Sequence, residues 1–137
     1  MTDTAPTPFP FRGHALVASG DGQATALPLD DTFWPSLMAG RIAPDWLMLL
    51  SDMARDMGHW EMHPDGDEIF CLLSGHLIVV MDDGAGEHSV EMDTGPADAP
   101  VPQGLVMPRG TWHRFEVRRP GRLLFLTWGK DTRHRPL

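Results

Sequence analysis

The sequence predicts an all-β fold, and three features of its 137 residues carry that prediction. The 14 glycines and 13 prolines are spread along the whole chain and divide it into short segments. No segment keeps the apolar period of a long amphipathic helix. Short apolar runs between turns rich in Gly, Pro and Asp are typical of a β-sandwich or β-barrel. We therefore expect at most one short helix, near the N-terminus.

The N-terminal segments carry the weaker signals. Residues 1–12 contain three prolines and are predicted to form an extension, followed by a single β-barrel domain over residues 13–137. His14–Ser19 and Thr25–Leu29 are predicted strands around a Gly-Asp-Gly turn.

The predicted helix follows these two strands. Asp30 or Asp31 can cap its first turn, and the helix should run through Met38 and end near Gly40. Pro35 then lies in the first turn, where proline is tolerated.

Later segments that are apolar, or that alternate between apolar and polar residues, are predicted strands. They are Trp46–Ser51, Arg55–His63, Ile69–Leu73, Leu77–Met81, Glu87–Met92, Leu105–Met107, Trp112–Arg118 and Arg122–Trp128. Ile69–Leu73 and Leu77–Met81 are apolar on both faces, so both faces should be covered. A second sheet covers one face and a subunit interface the other, which predicts a homodimer.

The composition excludes several classes of protein. A net charge of −8 argues against general nucleic-acid binding, which needs a basic surface. No apolar run approaches the roughly 18 residues of a membrane-spanning helix. The first ten residues lack the basic and apolar regions of a signal peptide, so we expect a cytoplasmic protein. The single cysteine, Cys71, excludes an internal disulfide and a multi-cysteine zinc site.

Three candidate metal ligands that we expect on one face, Glu61, His63 and Glu68, lie within residues 61–68. The Pro-Asp-Gly-Asp segment after His63 has strong turn chemistry. If it joins an antiparallel hairpin, His63 and Glu68 are cross-strand neighbours with Cβ atoms about 4.5–5.5 Å apart. The two-residue period of a strand places Glu61 on the same face. Phe70 follows on that face, so we expect the face to point inward.

A second stretch adds another histidine. Met107-Pro108-Arg109-Gly110 is a predicted turn, and strict alternation follows it. His113 shares a face with Phe115 and Val117, so its ring should be buried. A buried histidine needs partners for its ring nitrogens.

Two histidines and two carboxylates in one small interior are costly to bury without compensation. A divalent cation is the natural compensation, and these nitrogen and oxygen ligands suit Fe, Mn, Ni, Co or Zn. Two histidines with one carboxylate also match the facial triad of non-haem iron sites. The alternative is a buried hydrogen-bond network in a barrel without metal.

Two short motifs resemble those of the cupin family. Residues 61–75 resemble the first cupin motif: His63 fills the second histidine position, Glu68 follows after four residues, and Gly75 after six more. Residues 108–113, Pro-Arg-Gly-Thr-Trp-His, resemble the second motif. The resemblance implies a double-stranded β-helix (a jelly roll), one divalent metal per chain in the mouth of the barrel, and frequent homodimers. It places the metal ligands at Glu61, His63, Glu68 and His113.

Some positions depart from the family pattern. Glu61 stands where the first motif usually has a histidine, Pro102 where the second usually opens with Gly, and Val117 where it usually ends with Asn. With a divalent ion, two carboxylates make the ligand set formally neutral and weaken its attraction for anionic substrates. Glu61 is open both as a ligand and as a catalytic base. His59 is two residues before Glu61 and therefore on the same face of the predicted strand. It could replace Glu61 as a ligand or form a hydrogen bond to it.

Other side chains are candidates to line a substrate pocket. They are His59, Phe70, Met107, Arg109 and Phe115. The two phenylalanines and Met107 are most simply core residues. Arg109 is more simply a solvated turn residue than a clamp for a substrate carboxylate.

These features predict a metal-dependent enzyme acting on a small organic molecule. An oxygenase-type reaction is favoured, because substrate and dioxygen can share an open-sided metal. A metal-assisted isomerase, lyase or hydrolase with Glu61 as the base is also open. The alternative from another class is a non-catalytic module that binds a small ligand, a sugar or a metal. A purely structural barrel would have its mouth plugged by side chains such as Phe70 and Phe115.

Overall fold

Two long strands, Glu68–Asp82 and Trp112–Trp128, form the framework of the fold. The computed structural model describes residues 5–128 and 131–137, and within them it has nine antiparallel strands and one short helix. In chain order the elements are β1 (His14–Ala18), β2 (Ala24–Pro28), α1 (Phe33–Met38), β3 (Trp46–Met53), β4 (His59–Met62), β5 (Glu68–Asp82), β6 (Glu87–Asp93), β7 (Gln103–Met107), β8 (Trp112–Trp128) and β9 (Arg133–Pro136). The all-β prediction is therefore confirmed.

The long strands β5 and β8 pair with each other, from Ile69 opposite Leu126 to Asp82 opposite Trp112. One half of this pair is flanked by β7 beside β5 and by β3, β1 and β2 beside β8. The other half is flanked by β6 beside β5 and by β4 and β9 beside β8. Two groups of strands thus share the same two central strands, which fits the predicted jelly roll.

Glycines allow the two long strands to bend between these halves. The register of β5 and β8 shifts between Leu72 and Leu77. Gly75 lies in that interval with a φ of 114°, which residues with a side chain rarely adopt. A Cβ on Gly121 would collide with the carbonyl of Ser74 and with the Cα of Gly75. The bend therefore requires two glycine backbones in close approach.

The main core lies between the two halves. Phe70 and Leu72, from one half of β5, share a buried cluster with Val79 and Met81, from the other half. Strands β5 to β8 complete this cluster with Leu77, Met92, Met107, Phe115 and Leu123. Because side chains from both halves share one cluster, the halves pack face to face as in a β-sandwich.

A second, smaller core holds α1 against the sheet. Phe33 is buried there and packs with Ala15 of β1 and two leucines of β3. The residue at the N-cap position is Thr32, which makes no capping hydrogen bond through its side chain, so the prediction of Asp30 or Asp31 was wrong. The Asp30 carboxylate instead accepts hydrogen bonds from the backbone and hydroxyl of Thr32, in a turn before the helix.

Two pairs of predicted strands are in fact single strands. Ile69–Leu73 and Leu77–Met81 belong to β5, because the bend at Gly75 continues the strand instead of reversing it. Trp112–Arg118 and Arg122–Trp128 likewise belong to β8.

The predicted strand Arg55–His63 is shorter than expected, and only His59–Met62 pairs as a strand. The Asp56 carboxylate accepts a hydrogen bond from the backbone of Val117 at 2.7 Å, so the preceding segment is held beside β8 as a connection. Strand β9 was not predicted, because its Arg-His-Arg-Pro sequence has no apolar pattern.

The predicted N-terminal extension contains no helix or strand over residues 5–10, and residues 1–4 lie outside the described residues. The carbonyl of Pro10 accepts a hydrogen bond from Nδ1 of His14 at 2.8 Å, which ties the segment to β1. In the part of the chain that the structure describes, no helix has the length and apolar character needed to cross a membrane.

The side of β1, β3, β8, β5 and β7 that faces away from the core carries a row of apolar residues. Paired positions across the five strands are Leu16, Met48, Leu126, Ile69 and Val106. Ile69 is 39% exposed and Val106 59% exposed, although both are apolar. We call this row and its neighbours Leu50, Leu124 and Cys71 the apolar outer face. Contiguous apolar surface of this kind marks interaction sites.

We propose that a second copy of the chain covers the apolar outer face. Ile69→Asp should therefore convert a dimer to a monomer in light scattering after size exclusion, because it buries a charge in the interface. Val90→Asp, at an exposed apolar position on β6, is the control and should leave the dimer intact. A wild-type protein that is monomeric at high micromolar concentration would contradict the proposal.

The glycine bend gives a second prediction. Gly121→Ala should lower the free energy of unfolding by more than about 2 kcal/mol, since its Cβ has no space beside β5. Gly58→Ala is a matched control, because a Cβ there meets no atom within 4 Å. Urea denaturation measures both. Equal stabilities of the two variants would show that the close approach does not constrain the fold.

Candidate metal centre

Glu61, His63 and His113 form a group that could hold a metal ion. One ligand atom from each side chain lies within 4.8 Å of the other two. Glu61 and His113 are direct register partners on β4 and β8, and His63 follows β4 by one residue. Both histidines are buried, whereas Glu61 is partly exposed. The group is thus open on the side of Glu61.

The predicted hairpin between His63 and Glu68 does not form. Strand β4 pairs with β8 and β9, and β5 pairs with β6, β7 and β8, so the two strands are not neighbours. The two side chains still meet, with 3.1 Å between Nε2 of His63 and Oε1 of Glu68. They meet because β4 and the start of β5 border opposite halves of β8, which pack face to face, and not because the intervening turn pairs them.

The loop between His63 and Glu68 is fixed by the turn before β8. The Asp67 carboxylate accepts hydrogen bonds from the backbone and the Nε of Arg109, at 2.9 and 3.2 Å. The carbonyl of His63 accepts a hydrogen bond from the backbone of Gly110 at 2.9 Å. Arg109 therefore connects two loops, and it is not a member of the ligand group.

Glu68 lies between the two histidines. Its Oε1 is 3.1 Å from Nε2 of His63 and 3.1 Å from Nε2 of His113. Its Oε2 accepts a hydrogen bond from the hydroxyl of Thr127. The carboxylate is almost fully buried, so each of its oxygens needs a positive or hydrogen-donating neighbour.

His113 has one ring nitrogen without a hydrogen-bond partner. Its Nδ1 donates to the carbonyl of Thr111 at 3.1 Å, so that nitrogen carries a proton. Its buried Nε2 makes no hydrogen bond within the described residues, although it lies 3.1 Å from Glu68, because the alignment is poor. In the neutral ring, an Nε2 lone pair faces a carboxylate lone pair. A cation between them, or a second ring proton, relieves that repulsion.

His63 is oriented by a residue next to β9. Its Nδ1 lies 3.0 Å from the hydroxyl of Thr132. Burial by itself lowers the pKa of His63, but the hydrogen bond and the charge of Glu68, together with the charge of Glu61, raise it above the usual value. In both buried histidines, Nδ1 contacts a polar neighbour and Nε2 faces Glu68. A polar partner on one ring nitrogen, which leaves the other free for the ion, is typical of metal-binding histidines.

The same contacts act on Glu68. Burial by itself raises the pKa of Glu68, but the two imidazoles of His113 and His63, each with a nitrogen 3.1 Å from its Oε1, lower it from 4.5 to about 2. The carboxylate is therefore ionised at neutral pH, although it is buried.

Two cavities reach the ligand group. The first, here the inner cavity, has a volume of about 170 Å³ and touches Glu61, Glu68, Phe70 and Phe115. The second, here the helix-side cavity, has a volume of about 310 Å³ and extends from Glu61, His63 and Glu68 to α1. Phe70 and Phe115 therefore line the inner cavity.

The remaining predicted site residues lie in different places. His59 is exposed and its ring contacts His134, with centroids 5.1 Å apart, so it is outside the metal-ligand group. Met107 is buried in the main core, as its simpler interpretation suggested. Phe70 and Phe115 belong both to that core and to the wall of the inner cavity.

Three residues of the site were missed in the sequence. Thr127 and Thr132 orient Glu68 and His63, and His134 Nε2 lies 3.4 Å from Oε1 of Glu61. Thr127 shares the inward parity of Leu123 on β8, a signal that could have pointed to it. Thr132 and His134 depend on the pairing of β9 with β4, which no local pattern indicates.

The donor set of the site fits a divalent metal. The ligand group combines two imidazole nitrogens with the carboxylate of Glu61, the Glu68 carboxylate lies against both imidazoles, and one buried imidazole nitrogen lacks a partner among the described residues. Strand topology and ligand group together fit the predicted jelly roll with potential metal ligands.

Comparison with known proteins finds likenesses in fold only. No family model matches the sequence, and no curated protein matches it. A cupin-2 domain protein from Shewanella frigidimarina is 19% identical, over 61% of this chain and 70% of that chain, with a TM-score of 0.47. A hydroquinone 1,2-dioxygenase is 18% identical over 61% of this chain and 58% of that chain, with a TM-score of 0.47. An oxalate oxidase is 21% identical over 64% of this chain and 45% of that chain, with a TM-score of 0.48.

The lowered pKa of Glu68 predicts an acid-sensitive contribution to the stability of the metal-free protein. A carboxylate whose folded pKa lies below its unfolded value stabilises above pH 4.5 and loses that effect as the pH falls towards 2. Between pH 5.5 and 3 the loss should be about 2 kcal/mol, measured by urea denaturation. Glu68→Gln should remove this part of the pH dependence.

The control for this experiment is Glu87→Gln at an exposed position on β6. It should keep the wild-type pH dependence. If Glu68→Gln also keeps that dependence, Glu68 is not held ionised by the two histidines.

Proposed function

We propose that this protein is a metal-dependent enzyme acting on a small organic molecule, with an oxygenase-type reaction favoured. The observation that carries the proposal is Nε2 of His113, which is buried, unpartnered and turned towards the Glu68 carboxylate. It supports a cation in the ligand group more than a self-sufficient hydrogen-bond network. A network would place a donor at that nitrogen.

Glu61, His63 and His113 would hold the metal from one side, with Glu68 as a possible fourth ligand. An iron(II) ion in such a triad of two histidines and one carboxylate supplies oxygenase chemistry, because the three protein ligands leave positions open. Mn, Ni, Co and Zn also suit these donors and would favour other reactions.

The chain's own residues prepare this site in three ways. Thr111, Thr127 and Thr132 orient His113, Glu68 and His63 through one contact each. The pairing of β4 with β8 places Glu61 opposite His113. The two cavities give a small molecule access to Glu61 and Glu68. Preorganised ligands next to a cavity favour an enzyme over a structural barrel.

Glu61 distinguishes the oxygenase from the second enzymatic candidate. It lines both cavities and is the most exposed member of the ligand group. A Glu61 that does not bind the metal is positioned as a general base, which supports an isomerase or lyase. The non-catalytic candidate, a small-ligand or metal-binding module, uses the same cavities without turnover.

The first test is the metal content of untagged protein, purified without chelators and measured by elemental analysis. We expect about one divalent transition metal per chain. His113→Ala should lose it while remaining folded, because it removes the unpartnered nitrogen from the group. His59→Ala is the matched control, since its ring is exposed and outside the group, and it should keep the metal.

Failure to take up any divalent metal after purification and soaking would overturn the metalloenzyme proposal. With iron(II) bound, nitric oxide provides a second test that needs no substrate. An electron paramagnetic resonance signal of an iron–nitrosyl complex would support an open coordination position and hence the oxygenase. Its absence would favour a closed, non-catalytic metal site.

A further inference from the structure

We propose that the helix-side cavity binds an uncharged, compact apolar molecule that carries a hydroxyl group, such as a substituted phenol. This inference rests on the proposed function and names the class of its substrate. It is drawn from the wall, the polar end and the size of the cavity.

The wall of the cavity is apolar and comes from three elements. Helix α1 and strands β3 and β8 contribute it, through Trp34, Leu37, Met38, Leu47, Leu49 and Phe125. Trp34 is 51% exposed and Met38 85% exposed, which is unusual for large apolar side chains in the only helix of the described chain. A bound apolar molecule would contact both side chains and cover part of that surface.

The opposite end of the cavity is polar. Glu61, His63 and Glu68 lie there, together with Thr127, Thr132 and His134. None of the described residues that line the cavity is a lysine or an arginine. Arg109, a candidate from the sequence for the clamp of a substrate carboxylate, is bound to Asp67 and lines a different cavity.

The charges at this end decide the class of ligand. Two carboxylates offset the charge of a divalent ion, so an anionic substrate would gain little attraction from the loaded site. In the metal-free site the same carboxylates would repel it. A hydroxyl group is uncharged and can donate to a carboxylate oxygen or bind a metal through its own oxygen. The site therefore favours a hydroxyl over a carboxylate at the polar end.

The size of the cavity limits the apolar part of the ligand. An apolar cavity of about 150 Å³ is known to accommodate benzene in another protein. The helix-side cavity, at about 310 Å³, has room for one ring with a few substituents. It lies at the lower end of the range of roughly 300–1,000 Å³ for small-molecule sites.

The test compares two probes that differ in the polar group, 4-ethylphenol and 4-ethylbenzoate. Their binding to zinc-loaded and metal-free protein is measured by titration calorimetry, and zinc uptake is measured separately by elemental analysis. We expect 4-ethylphenol to bind about tenfold more tightly than 4-ethylbenzoate, or better.

Variants locate the binding in the helix-side cavity. Trp34→Ala should weaken 4-ethylphenol several-fold, because it removes an aromatic wall that is not part of the core. Val101→Ala, at an exposed position that lines neither cavity, should leave the affinity unchanged. Met38→Arg should improve the affinity for 4-ethylbenzoate, because it adds a cation to the wall at an exposed site.

Failure of this inference is distinguishable from failure of the proposed function. Zinc uptake with tighter binding of 4-ethylbenzoate would overturn the ligand class and leave the metal site standing. Binding of 4-ethylphenol without any metal uptake would support the ligand class and overturn the metalloenzyme. Zinc uptake with no binding of either probe, or binding that Trp34→Ala does not change, would overturn the assignment of this cavity.

Discussion

The close approach of Gly75 and Gly121 is the constraint on which the rest of the structure depends. It lets β5 and β8 bend together, so that each long strand serves two groups of neighbours. One half of β5 brings Glu68 towards the site, and the opposite half of β8 brings His113. Without that shared bend, residues from the two ends of the strand pair would not converge on one interior.

The charges and hydrogen bonds around Glu68 then determine whether a cation can bind in that interior. Glu68 is buried and ionised because two imidazoles and a hydroxyl surround it. Nε2 of His63 has a hydrogen bond to Glu68, whereas Nε2 of His113 has no hydrogen-bond partner among the described residues. This asymmetry connects packing to function, because a fully satisfied network would have no need of a cation.

Much of the fold and the burial of the central residues of the candidate site could be predicted from the sequence, for physical reasons that also explain the failures. Parity along a strand placed His63, Glu68 and His113 inside, because the apolar residues that alternate with polar ones identify the buried face. The partner of each strand could not be predicted in the same way. His63 and Glu68 meet because the two halves of β8 pack face to face, and not through a hairpin. The contacts of Thr132 and His134 depend on β9, whose polar sequence has no apolar period. Long-range pairing is set by the bend in β5 and β8. The presence of Gly75 or Gly121 in the sequence does not by itself reveal that bend.

The edge position of β9 has a consequence for how the site exchanges its contents. Within the described residues, strand β9 pairs with β4 alone, through four residue pairs, whereas the central strands have a partner on each side. Such segments open locally at a lower free-energy cost than global unfolding. Detachment of β9 would separate Thr132 from His63 and His134 from Glu61, and would widen the polar end of the helix-side cavity. Amide hydrogen exchange in β9 would then report this opening at the polar end of the cavity.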